Sequence, residues 1–127
     1  MPQYMLLIYG PDRAVPPEEM AADLARWSDY TQGLQDAGVM RAGDALHPAD
    51  SATTVRVRDG ETQIVDGPFA ETKETLGGYY VIEVADLDAA LKHAAKMPNV
   101  SYGSVEVRPV VDFSAAPAGG EQASAAV

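Results

Sequence analysis

The stretch YMLLIYG, residues 4–10, decides the fold class because every position from Tyr4 to Tyr9 is apolar or aromatic. Successive side chains of a strand point to opposite faces of a sheet, so a continuous apolar run predicts a strand that is buried on both faces. Gly10-Pro11-Asp12 follows at once and supplies the residues of a turn. The chain is therefore expected to begin with a strand that needs cover on both sides.

An amphipathic helix is predicted after this strand. Pro16-Pro17 and the acids Glu18 and Glu19 suit the first turn of a helix, and Gly38 suits its end. Between these limits, apolar residues recur at spacings of three and four, which is the pattern of a helix that packs one face on a core. These apolar residues are Met20, Leu24, Trp27, Tyr30 and Leu34.

The rest of the chain completes an α+β pattern. The further predicted elements are an extended segment at 39–46, a hairpin of 53–58 and 61–65 joined by Asp59-Gly60, a strand at 79–84, a helix capped by Asp86 that stops by Pro98, and a strand at 104–111. The order β, α, β, hairpin, β, α, β predicts a ferredoxin-like antiparallel sheet with both helices on one face and an inserted β-hairpin. Residues 1–113 form one predicted domain, and the Ala/Gly/Ser-rich residues 114–127 are expected to be a flexible tail.

The sheet face opposite the helices is predicted to be apolar. Alternation in the strand at 79–84 directs Tyr79 and Val81 to that face if Tyr80 and Ile82 face the helices. So much apolar surface is unstable in water, and a second copy of the chain is the simplest cover. We therefore expect a homodimer, and a standard interface buries on the order of 1,600 Å².

Composition excludes several classes of function. The 127 residues include no cysteine, which removes disulfides, thiolate metal sites and cysteine nucleophiles, and the net charge of -10 repels phosphate backbones and anionic lipids. Nucleic acid and membranes are therefore not expected as partners, and no apolar run approaches the roughly 20 residues of a membrane span. No glycine-rich phosphate loop or zinc pattern is present, so we expect no cofactor and no metal. We also expect a cytoplasmic location, because a chain without cysteine is compatible with a reducing compartment. Asn99-Val100-Ser101 matches the glycosylation pattern, but so short a match carries no weight.

Charged residues cluster between two predicted strands in VDGPFAETKETLGGYY, residues 65–80. Asp66 is a candidate general base with Lys73 as its electrostatic partner, and Glu71 is the third candidate catalytic residue. The alternative is structural, because Asp-Gly-Pro is favourable turn chemistry and Lys73 can serve a plain ion pair. The sequence leaves both interpretations open.

A second polar group is expected at the rim of an inter-subunit cavity. Alternation places Tyr79 and Glu83 on one side of their strand, and Glu106 and Arg108 on one side of the last strand. Polar side chains around an apolar cavity are typical of small-molecule sites, although exposed ion pairs at a sheet edge are also common. His47, in a loop before Pro48, is the histidine expected to reach the cavity mouth, either for proton transfer or for a loop hydrogen bond.

Three segments of the chain together resemble the DGPF-motif branch of the YCII-related family. They are residues 4–10 (YMLLIYG), 66–74 (DGPFAETKE) and 102–110 (YGSVEVRPV), and the resemblance extends from residue 1 to about residue 113. It implies a dimeric α+β barrel, in which the sheets of two subunits enclose a shared cavity. The first 46 residues contain no histidine, so a histidine–aspartate pair proposed as catalytic in some YCII-like relatives has no counterpart here.

The resemblance implies a fold more than a reaction. Proteins of the wider barrel superfamily include lactone isomerases, monooxygenases and dehalogenase-like proteins, whereas the DGPF branch is sometimes encoded beside, or fused to, extracytoplasmic-function sigma factors. The leading hypothesis is a small organic ligand bound in the barrel cavity, with acid/base chemistry of the isomerase or lyase type. The alternatives are a non-catalytic sensor or interaction module associated with transcription regulation, and a purely structural dimer.

Overall fold

A computed structural model describes residues 1–11, 15–70 and 72–114 of the chain. Its elements are β1 (Gln3–Gly10), α1 (Pro17–Asp36), β2 (Met40–Ala45), a single 3₁₀ turn (Ala49–Ser51), β3 (Thr53–Arg58), β4 (Glu61–Asp66), β5 (Thr75–Glu83), α2 (Leu87–Ala94) and β6 (Ser104–Pro109). The predicted tail, apart from Ser114, and the candidate residue Glu71 lie outside the described residues.

Four strands form one antiparallel sheet in the order β2-β5-β1-β6, and β3 with β4 forms a separate two-stranded sheet. If the hairpin is left out, the four strands have the order second, third, first, fourth, which is the ferredoxin-like arrangement. The predicted α+β fold with an inserted hairpin is therefore confirmed. The hairpin turns at Asp59 and Gly60, whose positive φ angles of 53° and 77° are those of the tight turn that Asp-Gly favours.

The core lies between one face of the sheet and both helices. Leu6 of β1 and Ile82 of β5 are fully buried, and Leu34 of α1 and Ala90 of α2 belong to the same cluster. Burying one such large aliphatic side chain stabilises the fold by roughly 1.5–3 kcal/mol. Asp86 caps α2, since its carboxylate accepts a hydrogen bond of 2.9 Å from the backbone N–H of Ala89.

The opposite face of the sheet, here called the open face, has neither helix packed on it. Leu7 lies between Tyr79 and Glu106 in the strand register, and Met5 lies between Val81 and Arg108. Met5, Leu7 and Val81 are half-buried by their neighbours in the sheet alone. The open face is therefore an apolar strip with polar groups along its length.

The apolar stripe of α1 is buried at one end only. Leu34 is 2% exposed, Tyr30 and Trp27 are half-buried, and Leu24 and Met20 are 63% and 49% exposed. The first half of α1 therefore extends beyond the packed core. Neither α1 nor α2, the α-helices of the described part of the chain, has the length and apolar character of a membrane-spanning helix.

Candidate functional site

A cavity of about 660 Å³, here called the α1 cavity, lies where the first half of α1 passes over the end of the sheet. Leu24, Trp27 and Thr31 contribute its α1 wall. Ile8 of β1 and Gly78 of β5 are part of its sheet side. Its volume falls within the range of pockets that hold small organic molecules.

Two glycines allow the strands to approach closely at this end of the sheet. A Cβ atom at Gly78 would lie 2.8 Å from the backbone oxygen of Asp44, and one at Gly43 would lie 2.8 Å from Cδ1 of Tyr80. Real Cβ atoms do not tolerate such distances, so these positions exclude larger residues. The sheet side of the cavity is consequently formed in part by bare backbone.

The polar groups of the α1 cavity are few. The hydroxyls of Thr31 and Tyr80 are 2.6 Å apart and share a hydrogen bond. On the open face, Tyr79 and Asp44 lie opposite each other on β5 and β2, and the Tyr79 hydroxyl donates to the Asp44 carboxylate at 2.7 Å. That carboxylate raises the pKa of Tyr79 above its ordinary value, because both the hydrogen bond and the negative charge favour the neutral phenol. Most of the remaining lining is apolar, as in typical small-molecule sites.

Asn99 lies in the wall of the α1 cavity and is 2% exposed. Its Nδ2 group donates to the backbone oxygens of Tyr9 and Ser104, at 3.0 and 3.1 Å. Its Oδ1 atom is buried and has no hydrogen-bond partner among the described residues. Sequence reasoning did not identify Asn99 as a functional residue, because the pattern it belongs to, Asn99-Val100-Ser101, is only a short glycosylation match and its burial depends on the fold.

A second cavity of about 770 Å³, here called the loop cavity, adjoins the first. It lies between the segment that follows β2 and the DGPF segment, from which Pro68, Phe69 and Thr72 line it. Leu46 and His47 line both cavities, so they stand at the boundary between the two. The side chain of His47 is exposed there.

The candidate catalytic residues Asp66 and Lys73 are both exposed. No hydrogen bond or ion pair involves either side chain within residues 1–11, 15–70 and 72–114. The backbone of the motif is instead fastened at Gly67, whose N–H donates to the Ala52 oxygen at 2.7 Å and whose oxygen accepts from the Thr54 hydroxyl at 2.9 Å.

Elsewhere in the motif, the Glu74 carboxylate accepts a hydrogen bond of 2.8 Å from the Ser104 hydroxyl, and the Arg56 guanidinium lies over the Phe69 ring, 5.4 Å from its centroid. The motif is thus held by its backbone, Phe69 and Glu74 rather than by the candidate base Asp66.

The other candidate ligand residues lie on the open face. Arg108 and Glu106 form an ion pair of 2.6 Å, and Glu83 accepts hydrogen bonds from Gln3 and Arg41, each at 3.3 Å. These bonds lower the pKa of Glu83, because Gln3 and Arg41 both stabilise its charged form.

The structure therefore divides the candidate ligand residues between two sides of the sheet. Glu83, Glu106 and Arg108 lie on the open face. His47, in contrast, lines both the α1 cavity and the loop cavity. The side chain of Tyr79 belongs to the open face by register, and the residue also borders the α1 cavity.

A metal ion has no evident set of ligands here. In the part of the chain that the structure describes, no group of three or more histidine, aspartate or glutamate side chains comes close enough together to hold one. The polar side chains around the two cavities carry hydroxyl, carboxylate, amide and imidazole groups.

Fold and cavity define a small ferredoxin-like α+β protein with a half-open pocket under its first helix. Residues 2–114 match the model of the YCII-related domain, so the chain belongs to that family. The chain is also 48% identical over 77 residues to an uncharacterised protein of Rhizobium meliloti (strain 1021), a match that covers 59% of this chain and 62% of that protein.

Proposed function

We propose that this protein binds a small organic ligand in the α1 cavity. The observation that carries the proposal is the combination of volume and lining, a half-open space of about 660 Å³ lined mostly by apolar groups with a few fixed polar ones. The exposed Leu24 above this space also supports it, since a bound ligand would cover apolar surface that the core does not.

Trp27 provides the test, because it is the only tryptophan of the chain and lies in the cavity wall. We expect cyclohexanecarboxamide, an apolar ring with one amide and no absorption that interferes with tryptophan, to change the emission of Trp27 in a saturable way. Ser28→Phe, which fills the cavity from α1, should abolish the response. Ala25→Phe is the matched control, since Ala25 is an exposed residue of the same helix outside the cavity wall. An equal response from both variants would contradict binding in this cavity.

The proposal includes a homodimer in which the open faces of two copies meet. Met5, Leu7 and Val81 support it, because they form an apolar strip on a sheet face that neither helix covers. A dimer of this kind would bring Glu106 and Arg108 of each copy to the shared interface, where they could form the rim of the barrel cavity inferred from the family resemblance.

Acid/base chemistry of the isomerase or lyase type is the catalytic extension of this proposal. Asp66 ends β4 next to Gly67 and Pro68, and Pro68 lines the loop cavity. In this scheme Asp66 is the base and Lys73 its electrostatic partner. Asp66→Ala should then lower turnover of a substrate, once one is found, by roughly 10² to 10⁴ while the fold and oligomeric state survive. Unfolding of this variant would favour the structural interpretation of the motif instead.

The second candidate function is a non-catalytic sensor or interaction module associated with transcription regulation. It is favoured by the β3–β4 hairpin, where Val55, Val57 and Ile64 share one face and are 61%, 56% and 68% exposed. Exposed apolar patches of this kind commonly mark protein contacts. Loss of partner binding after Ile64→Lys, with ligand binding intact, would support the module.

A further inference from the structure

The loop cavity lies on the same side of the sheet as the open face. Met5, Leu7 and Tyr9 are alternate residues of β1, so their side chains point to one face. Tyr9 pairs in register with Leu76 of β5 and Ser104 of β6, and paired residues of neighbouring strands point to the same side. Because Tyr9 and Leu76 are both part of its wall, the loop cavity continues the apolar strip of the open face.

Two interactions agree with this placement. The Ser104 hydroxyl donates at 2.8 Å to the carboxylate of Glu74, which belongs to the wall of the loop cavity. The pKa of Arg108 is raised by the hydrogen bond and the charge of Glu106, and to a smaller extent by Tyr9. The Tyr9 side chain is therefore near an arginine of the open face, as its register requires.

A single chain leaves the loop cavity half open and its apolar wall in contact with water. Phe69, Leu46 and Leu76 line it and are 76%, 49% and 38% exposed. Prolines, alanines and threonines make up much of the remaining described wall. Exposed apolar surface of this kind is stabilised when a ligand or another protein surface covers it.

Distance decides whether a second copy on the open face would reach this cavity. Two residues of a strand span about 7 Å, so Tyr9 stands this far from Leu7 at the centre of the open face. One partner contributes about 800 Å² to a standard interface, and a circle of this area has a radius of roughly 16 Å. An interface centred on Leu7 therefore extends over Tyr9 and Leu76 and reaches the open side of the loop cavity.

We propose that the loop cavity is a second ligand site, which takes a neutral aromatic molecule and which a second copy of the chain completes by packing on the open face. This inference rests on the proposed function, because it uses the same dimer, but the site is distinct from the α1 cavity. Tyr9 and Phe69 offer aromatic rings to such a ligand, whereas a charged molecule would lose its hydration against a mainly apolar wall. Because the second copy covers the ligand, binding and dimerisation strengthen each other by the same factor.

The probe is N-phenyl-1-naphthylamine, a neutral aromatic compound that fluoresces strongly only in apolar surroundings. We expect a saturable rise of its emission with the dimeric wild-type protein. Leu7→Lys, which separates the copies, should weaken binding of the probe about tenfold, and Val55→Lys, which leaves the dimer intact, should not. A tenfold change is about 1.4 kcal/mol, the value of roughly 55 Å² of apolar ligand surface covered by the second copy.

The wild-type protein gives the reciprocal measurement, which needs no substitution. A saturating concentration of N-phenyl-1-naphthylamine should lower the dissociation constant of the dimer about tenfold for each occupied site. Analytical ultracentrifugation with and without the probe measures this constant. The coupling is therefore tested even if Leu7→Lys fails to fold.

Phe69→Ala and Phe113→Ala locate the probe on the protein. Phe69 and Phe113 are both exposed, at 76% and 62%, but Phe113 is not part of the described wall of either cavity. Phe69→Ala should weaken binding of the probe several-fold, and Phe113→Ala should leave it unchanged. Loss of the response in Ser28→Phe, with an unchanged response in Phe69→Ala, would place the probe in the α1 cavity and overturn the second site.

The remaining outcomes separate this inference from the proposed function. Absence of a response from the dimeric wild type would overturn the loop site. A response that is independent of the dimer would overturn completion of the site by a second copy. In both cases ligand binding in the α1 cavity, which Trp27 reports, stands. A monomeric wild type would overturn the proposed dimer together with this inference.

Discussion

Asn99 illustrates how burial changes the meaning of a residue. In the sequence it is the first residue of a glycosylation pattern, and in the fold it is 2% exposed and joins the ends of β1 and β6 through two backbone oxygens. A short polar residue before a turn gives no indication of its partners, because these come from strands far away in the chain. Its role was therefore outside the reach of sequence reasoning.

Removal of the charge of Asp44 tests the electrostatics of the open face beside Tyr79. Asp44→Asn keeps an acceptor near the Tyr79 hydroxyl but removes the negative charge that disfavours its ionisation. The pKa of Tyr79 should fall from its raised value toward the ordinary value of about 10. Titration of the ¹³Cζ signals of labelled tyrosines would measure this change. Asp29→Asn, on the exposed side of α1, is the control, and an equal change there would contradict a local cause.

His93 is predicted to make the fold less stable at mildly acidic pH. Its pKa is lowered below 6.5, first by burial and then by the charge of Lys96. The unfolded chain therefore binds a proton at this residue more readily than the folded chain does. The contribution of neutral His93 to the free energy of unfolding is complete above about pH 6.5 and is lost as the pH drops through the lowered pKa. His93→Gln should lose less stability than wild type between pH 7.5 and 5.5.

Urea unfolding at the two pH values measures this effect. Charged or titratable groups near His93 include Lys92, its neighbour in α2, Lys96 of the segment after α2, and Tyr30 of α1, whose hydroxyl donates to the His93 backbone oxygen at 2.7 Å. His47→Gln is the matched control, because His47 is exposed in its loop. If His47→Gln reduces the pH dependence of the free energy of unfolding and His93→Gln does not, the assignment to His93 is wrong.

At the scale of single elements, the long amphipathic patterns were the easiest to predict. The limits of α1 follow from prolines at its start and from Gly38 at its end, which has a φ angle of 72°. Its degree of burial did not follow, since the same apolar stripe is buried at Leu34 and exposed at Leu24. Periodicity shows which face of a helix is apolar, but the length of the sheet beneath it decides how much of that face is covered.

The adjacent glycines of β5 give a matched pair of substitutions. Gly78→Ala would bring a methyl group 2.8 Å from the backbone oxygen of Asp44 on β2, so the two strands would have to separate. We expect a loss of about 1–3 kcal/mol in the free energy of unfolding. In Gly77→Ala the nearest atom would be the Ile8 oxygen at 3.9 Å, an ordinary contact, and the change should stay within about 1 kcal/mol. Denaturant unfolding of both variants measures the difference, and equal losses would contradict the steric argument.

For the whole molecule, the prediction concerns the oligomeric state. Two copies that join through their open faces should sediment as a dimer, with an interface on the order of 1,600 Å². Leu7→Lys puts a charge at the centre of that face, between Tyr79 and Glu106, and should give monomers. Val55→Lys, on the exposed hairpin face, should leave the dimer intact. Analytical ultracentrifugation distinguishes monomers from dimers in each variant. Dissociation by Val55→Lys alone would show that the interface lies on the hairpin instead. A monomeric wild type would overturn the proposed dimer.

The location of the pocket was the main difference between expectation and structure. The open face, with Glu106 and Arg108, was expected to border the cavity of a dimer, and it remains the proposed dimer interface. The cavity that the structure describes lies on the helix side of the sheet, within one copy of the chain, and its wall includes Asn99 and Trp27. His47 was expected near a cavity mouth, and it lies at the boundary of two cavities.

Local spacing of apolar, turn and capping residues was sufficient to determine the order of the elements and the faces that they bury, because those properties depend on neighbours within a few residues. It did not determine every limit, since the strand predicted at 79–84 is Thr75–Glu83 in the structure and continues through Gly77 and Gly78. Only the tertiary structure decided that Asn99 would keep an unpaired acceptor and that the first half of α1 would stand over a cavity. Both depend on atoms from distant segments, on how far the helix extends past the sheet, and on which hydrogen bonds are left unmade once the chain has closed.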